Sequence, residues 1–141
     1  MSPMNTKTST RSPGFSLVEL MLVVVIISLL AMVAIPSYQE SVYRSRRADA
    51  HAALMGMQLL QEKWRSVHTS YATLNSLATI GASSTSNDGY YTLAISGNSS
   101  TAFTVTATPT GVQASDSCAS IQLNQNGPVQ TSEDAKKCWN R

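Results

Sequence analysis

Glu19 is the side chain whose position most needs explaining, because it sets a carboxylate in a run from Phe15 to Ile35 where Ser16 and Ser28 are the only other polar side chains. A carboxylate at the centre of a membrane helix costs about 2.5–3.5 kcal/mol on insertion scales. About a dozen Leu, Ile, Val and Phe residues, at roughly −0.3 to −0.6 kcal/mol each, outweigh that cost. Glu19 lies one turn from the helix start, so it can snorkel to the interface or pair with a positive group in low dielectric. Cys118 and Cys138 are the second reactive pair. In a chain that enters a membrane, an even pair is expected to form one disulfide in an oxidising compartment; two separate reduced thiols are the alternative. His51 and His68 are not spaced as metal partners. No nucleophile–base pair, metal cluster or phosphate loop is recognisable, so no enzyme, cofactor or metal site is expected.

The elements around these residues follow from composition. A chain of 141 residues has room for one small domain plus a membrane-length segment. As a helix, Phe15 to Ile35 spans about 30 Å, the thickness of a bilayer core. From about Ser66 onward the chain is rich in Ser, Thr, Asn and Gly, and a net charge of +2 is too small to argue for nucleic acid. Three readings compete for the apolar run. A secretory signal peptide would use Lys7 and Arg11 as its basic region, but the run is long and no A-x-A site follows it. An uncut signal anchor is the second, and loop charges do not settle its orientation: Lys7 and Arg11 precede the run, while Arg44, Arg46 and Arg47 follow it.

The third reading comes from the junction Pro13-Gly14-Phe15-Ser16-Leu17-Val18-Glu19, continued through Leu20-Met21 to Ala34-Ile35-Pro36-Ser37-Tyr38-Gln39. Over about twenty-five consecutive residues it resembles the prepilin leader and membrane segment of type IV pilins and related pseudopilins. The resemblance implies that a prepilin peptidase cuts between Gly14 and Phe15 and that the new amine on Phe15 is methylated. Pro13 stands where that family often has a basic residue or Gln, which leaves the required Gly in place. It also implies an assembly role for Glu19, whose carboxylate would meet the Phe15 amine of a neighbouring subunit and fix its axial stagger.

Beyond the junction, Pro36 is expected to kink the long helix rather than end it. Ser37 to Val67 reads as its amphipathic half, with Ala53, Met57, Leu60, Trp64 and Val67 as the inner stripe, flanked by Ala52, Met55 and Leu59. Arg46, Arg47, Asp49, Glu62, Lys63 and Arg65 fall largely off that stripe, and Gly56 is expected to admit another element closely. Arg44, Arg46 and Arg47 could touch lipid headgroups or acidic neighbours; without interleaved aromatics they weigh against direct DNA binding. Thr69 to Asn87 reads as a partly ordered connection. Three strands are expected within Gly89–Ser96, Thr101–Thr108 and Cys118–Asn124, with turns at Gly97-Asn98, Pro109-Thr-Gly111 and Asn126-Gly127-Pro128. A Cys118–Cys138 bridge would tie the tail to the third strand.

The expected fold is therefore α+β, a pilin fold: a long N-terminal helix packed on a small antiparallel sheet of three or four strands, with a C-terminal disulfide loop. Its divisions are a leader at 1–14, a hydrophobic helix at 15–36, an amphipathic half at 37–67 and a globular domain at 68–141. Tyr90-Tyr91, the Phe103 to Pro109 strand, Asn126-Gly127 and Cys138-Trp139 resemble PilE-like minor pilins of the type IVa class. The resemblance implies a structural subunit of a type IV pilus that primes or joins filament assembly for adhesion, twitching motility or DNA uptake. Its partners would be major and minor pilin subunits, the prepilin peptidase, the inner-membrane assembly platform and, before assembly, membrane lipid. It would sit in a bacterial inner membrane with its C-terminal domain periplasmic, then on the cell surface. A type II secretion pseudopilin is the nearest rival, although Glu133 and Asp134 alone do not make the calcium loop common there. A membrane-anchored binding protein that never polymerises is the other.

Overall fold

In the computed structural model, which describes residues 14–140, the apolar run and the amphipathic segment form one helix, α1, Leu17–Arg65. The predicted leader lies outside the described residues except for Gly14. Pro36 sits inside α1, where its missing amide leaves the Met32 carbonyl without an i+4 donor. The chain divides after Ser37 into two compact units. In the first, the large apolar side chains of α1 are exposed, and the helix is long and apolar enough to cross a membrane. Ser28 satisfies its hydroxyl within the helix, donating to the Val24 carbonyl at 2.7 Å.

The second unit, from Tyr38, carries four antiparallel strands in sequential order: β1 Tyr91–Ser96, β2 Thr104–Pro109, β3 Ile121–Asn124 and β4 Gly127–Pro128. Register sets Leu93 opposite Ala107, and Ala107 opposite Ile121. Alternation then turns Tyr91, Leu93, Val105, Ala107, Ile121 and Leu123 inward, where they form one core with Ala50, Leu54 and Met57 of α1. The α+β architecture expected from the sequence is present. Two short helices were not expected: α2, Leu74–Ala78, capped by Thr73, and α3, Glu133–Trp139, capped by Ser132. Both begin where a hydroxyl accepts an N-terminal amide of the helix, from Ser76 and from Ala135 respectively.

Three expectations are corrected. The inner face of α1 is centred on Arg47, Ala50, Leu54, Met57 and Gln61; of the expected stripe, Met57 is in the core, Ala53, Leu60 and Trp64 pack half-buried against it, and only Val67, 77% exposed, falls away. The shift arises because Arg47, Asp49 and Gln61, which hydropathy sends to solvent, find internal partners. The connection after His68 is ordered enough to bury Ala72 and Leu77 in the core. Gly56 admits no close neighbour: an added Cβ there would meet nothing within 4 Å.

Candidate functional site

Gly14, Phe15 and Ser16 precede α1, and the Leu20 amide donates to the Ser16 carbonyl at 3.1 Å to open the helix. Glu19 falls in the first turn, where the positive end of the helix dipole favours a carboxylate. Phe15 is 77% exposed. This segment therefore presents its carboxylate and its first aromatic ring at the head of a bare apolar helix. Such a surface requires lipid or other helices around it.

The disulfide joins Cys118 to Cys138 with Cα atoms 5.8 Å apart, tying α3 to the approach of β3. Next to it, Asp116 is clamped by Arg47, whose Nε donates to Oδ2 at 2.8 Å while Nη2 donates to Oδ1. The carboxylate also accepts from Gln113 Nε2 at 2.9 Å and from the Cys118 amide at 3.3 Å. Gln113 Nε2 further reaches the Tyr91 hydroxyl at 3.0 Å. Burial by itself would raise the Asp116 carboxyl, but the Arg47 hydrogen bond, backed by the Cys118 amide, outweighs it and holds the group below the ordinary carboxylate range. The same hydrogen bond raises Arg47 against the opposing pull of burial. Burial also raises Tyr91, keeping it a neutral phenol. The expectation of solvated or partner-facing positions fails for Arg47: it is a structural cation that pins residues 113–118 to α1.

Arg46 lies over the Tyr90 ring, 4.6 Å from its centroid. At the far end of α1, Arg65 approaches the Tyr71 ring at 5.9 Å and donates to the carbonyls of His68 and Ser100. Beside it, Trp64 and His68 stack at 3.8 Å, with planes 4° apart. The two arginines are nineteen residues apart on one helix, about 28 Å. Basic and aromatic groups that do not interleave in sequence thus interleave in space. Arg65 already donates to two backbone carbonyls, which leaves Arg46 the freer of the two to meet a phosphate. Among the described residues no three His, Cys, Asp or Glu side chains gather as a metal site.

Two family matches bear on this arrangement. Residues 10–35 match the prokaryotic N-terminal methylation motif. Residues 36–122, more than half of the chain, match the family described as type IV minor pilin ComP, DNA uptake sequence receptor. The chain belongs to this type IV minor pilin family. Among curated relatives, the pilin is 34% identical over 83 residues to a fimbrial protein of Neisseria meningitidis serogroup A, covering 59% of this chain and 48% of that one. It is 37% identical over 62 residues to the type IV major pilin protein PilA of Myxococcus xanthus, covering 44% and 28%. It is 51% identical over 37 residues to the fimbrial protein EcpC of Eikenella corrodens, covering 26% and 24%. Each match spans less than half the length of the relative. Pilins are structural subunits that assemble with one another, and the apolar helix under a methylation motif marks this one as membrane-anchored.

The residues singled out from the sequence fall into separate places in the pilin. Gly14, Phe15 and Glu19 share the head of α1, Pro36 lies within that helix, and Cys118 and Cys138 meet in the domain. Sequence reasoning missed Asp116 and Gln113, and it named Tyr90 only for the resemblance it carries, not as a partner of Arg46. No local spacing marks them, because their partners on α1 lie 69, 70 and 44 positions away.

Proposed function

We propose that this pilin is a minor subunit of a type IV filament serving DNA uptake, and that its domain touches the DNA directly. The match of residues 36–122 to a family described as a DNA uptake sequence receptor carries this reading, since it covers most of the unit that follows the membrane segment. The Arg46–Tyr90 and Arg65–Tyr71 pairs support this reading, which departs from the sequence expectation against direct DNA binding. In this account the peptidase cuts after Gly14, Phe15 carries a methylated amine, and Glu19 of one subunit pairs with that amine on another. Pro36 relaxes the helix where it leaves the bilayer. The domain faces the periplasm before assembly and the exterior afterwards.

The test is binding of labelled duplex DNA to the detergent-solubilised pilin across a salt series, with the Arg46→Gln/Arg65→Gln variant alongside. The account expects salt-sensitive binding that weakens several-fold in the variant, with a shallower salt slope. Binding that neither responds to salt nor changes in the variant would remove the DNA-contact half. Glu19→Ala should still insert but be lost from sheared filaments; normal incorporation would remove the assembly role.

A further inference from the structure

Val112 is 64% exposed, and beyond the turn that ends α1 it is the one large apolar side chain left so open among the described residues. A lone valine at a surface needs no explanation by itself. Its mounting does. It stands on a short 3-10 helix, Gly111–Ser115, that is fastened on both sides of it. Before it, the Thr110 amide and hydroxyl both donate to the Tyr90 carbonyl, at 2.9 and 3.2 Å, and Gly111 turns the chain with φ +57°. After it, Gln113 is fully buried, and its Nε2 donates to the Tyr43 carbonyl at 3.3 Å and to the Tyr91 hydroxyl at 3.0 Å. A side chain stiff at χ1 is thus held out on backbone that the core fixes. Covering it orders little that is not ordered already.

Thr110 also ties this tip to the proposed DNA-contacting face, because its partner Tyr90 is the residue whose ring lies under Arg46, 4.6 Å from the centroid. That face therefore carries a guanidinium and, two positions beyond Thr110, a neutral apolar group. Arg46 can meet a phosphate in any sequence. Two carboxylates temper its attraction: Asp49, buried and accepting from the Asp88 amide at 3.2 Å, and Asp88 itself, exposed. A sequence preference at this end of the domain thus falls to an uncharged contact. In the major groove, the base-edge feature that an apolar side chain meets is the thymine C5 methyl. We infer that Val112 is a specificity-determining residue of this face, packing on a thymine methyl while Arg46 holds a nearby phosphate. The inference rests on the DNA-contact reading above.

The experiment enriches duplexes from a random-sequence library on the detergent-solubilised pilin. The enriched duplex is then remade with deoxyuridine for thymidine, which removes only the C5 methyl groups. The parent should bind the thymine form several-fold more tightly than the uracil form. Val112→Ala should bind the two forms alike, and Val112→Ile should keep the preference. Arg46→Gln should weaken both forms by a similar factor. Equal binding of the two forms by the parent, or a preference that survives in Val112→Ala, would overturn the inference and leave salt-sensitive DNA binding standing. So would a library from which no sequence is enriched. A pilin that binds no duplex at all would overturn the DNA-contact reading itself, and that outcome is seen separately with the unselected library at low salt.

Discussion

Arg47 on α1 and Asp116 ahead of β3 are 69 positions apart in sequence, yet Arg47 Nε donates to Asp116 Oδ2 at 2.8 Å and both side chains are almost wholly shielded from water. Removing one member of such a pair leaves an uncompensated buried charge, at a cost of about 3–5 kcal/mol. Arg47→Ala should therefore lower the unfolding midpoint of the domain steeply, as read by near-ultraviolet circular dichroism in detergent. Replacing Arg44, which has no such partner, should leave the midpoint nearly unchanged.

Acid should weaken the same contact. Asp116 has a lowered pKa in the folded state, so it binds its proton less readily folded than unfolded. Its contribution to stability is therefore complete above the ordinary carboxylate value near 3.9 and is lost as pH falls through that value toward the lower folded one. Thermal stability should drop below about pH 4. Asp116→Asn should be less stable at neutral pH but show a flatter acid limb.

Cys118 and Cys138 close a loop with a sequence separation of 20, which stabilises the fold by about 3 kcal/mol through the entropy removed from the unfolded chain. Cys138→Ser should lower the denaturant midpoint by that order. It should also free Trp139 from its stack on His51, now 4.6 Å between ring centroids, shifting tryptophan fluorescence to the red.

Gln61 gives a sharper test of the inner face of α1. Its side chain is fully buried and pairs with Ala72 in both directions, donating to the carbonyl at 2.9 Å and accepting from the amide at 2.8 Å. Gln61→Leu keeps similar bulk but strands two buried backbone groups, a loss of roughly 2 kcal/mol or more. If this variant were as stable as the parent, the inner face would not run through Gln61.

These polar residues also show where the sequence was legible. The apolar run, the strands and the cysteine pair stand out because hydropathy, alternation and count are local signals. The registration of α1 on the sheet is not local. Arg47, Asp49 and Gln61 meet partners 69, 39 and 11 positions away, so hydropathy found the right side of the helix, with Ala53, Met57, Leu60 and Trp64 in or against the core, but set its centre about one residue off. The α3 helix left a faint trace: Ser132 as cap, Glu133 and Asp134 in the first turn, Lys136 and Lys137 in the last. The head of α1 was the most legible part because its chemistry lies in consecutive residues, whereas the pairing of Arg46 with Tyr90 and Arg65 with Tyr71 required the fold.

The account depends most on processing at the junction before Phe15, since that step creates the amine Glu19 is proposed to meet. Mass spectrometry of the mature N-terminal peptide tests this directly. The account predicts a chain beginning at Phe15 with a methylated α-amine. A chain still beginning at Met1, or one beginning near Ser37 after loss of the apolar helix, would contradict it.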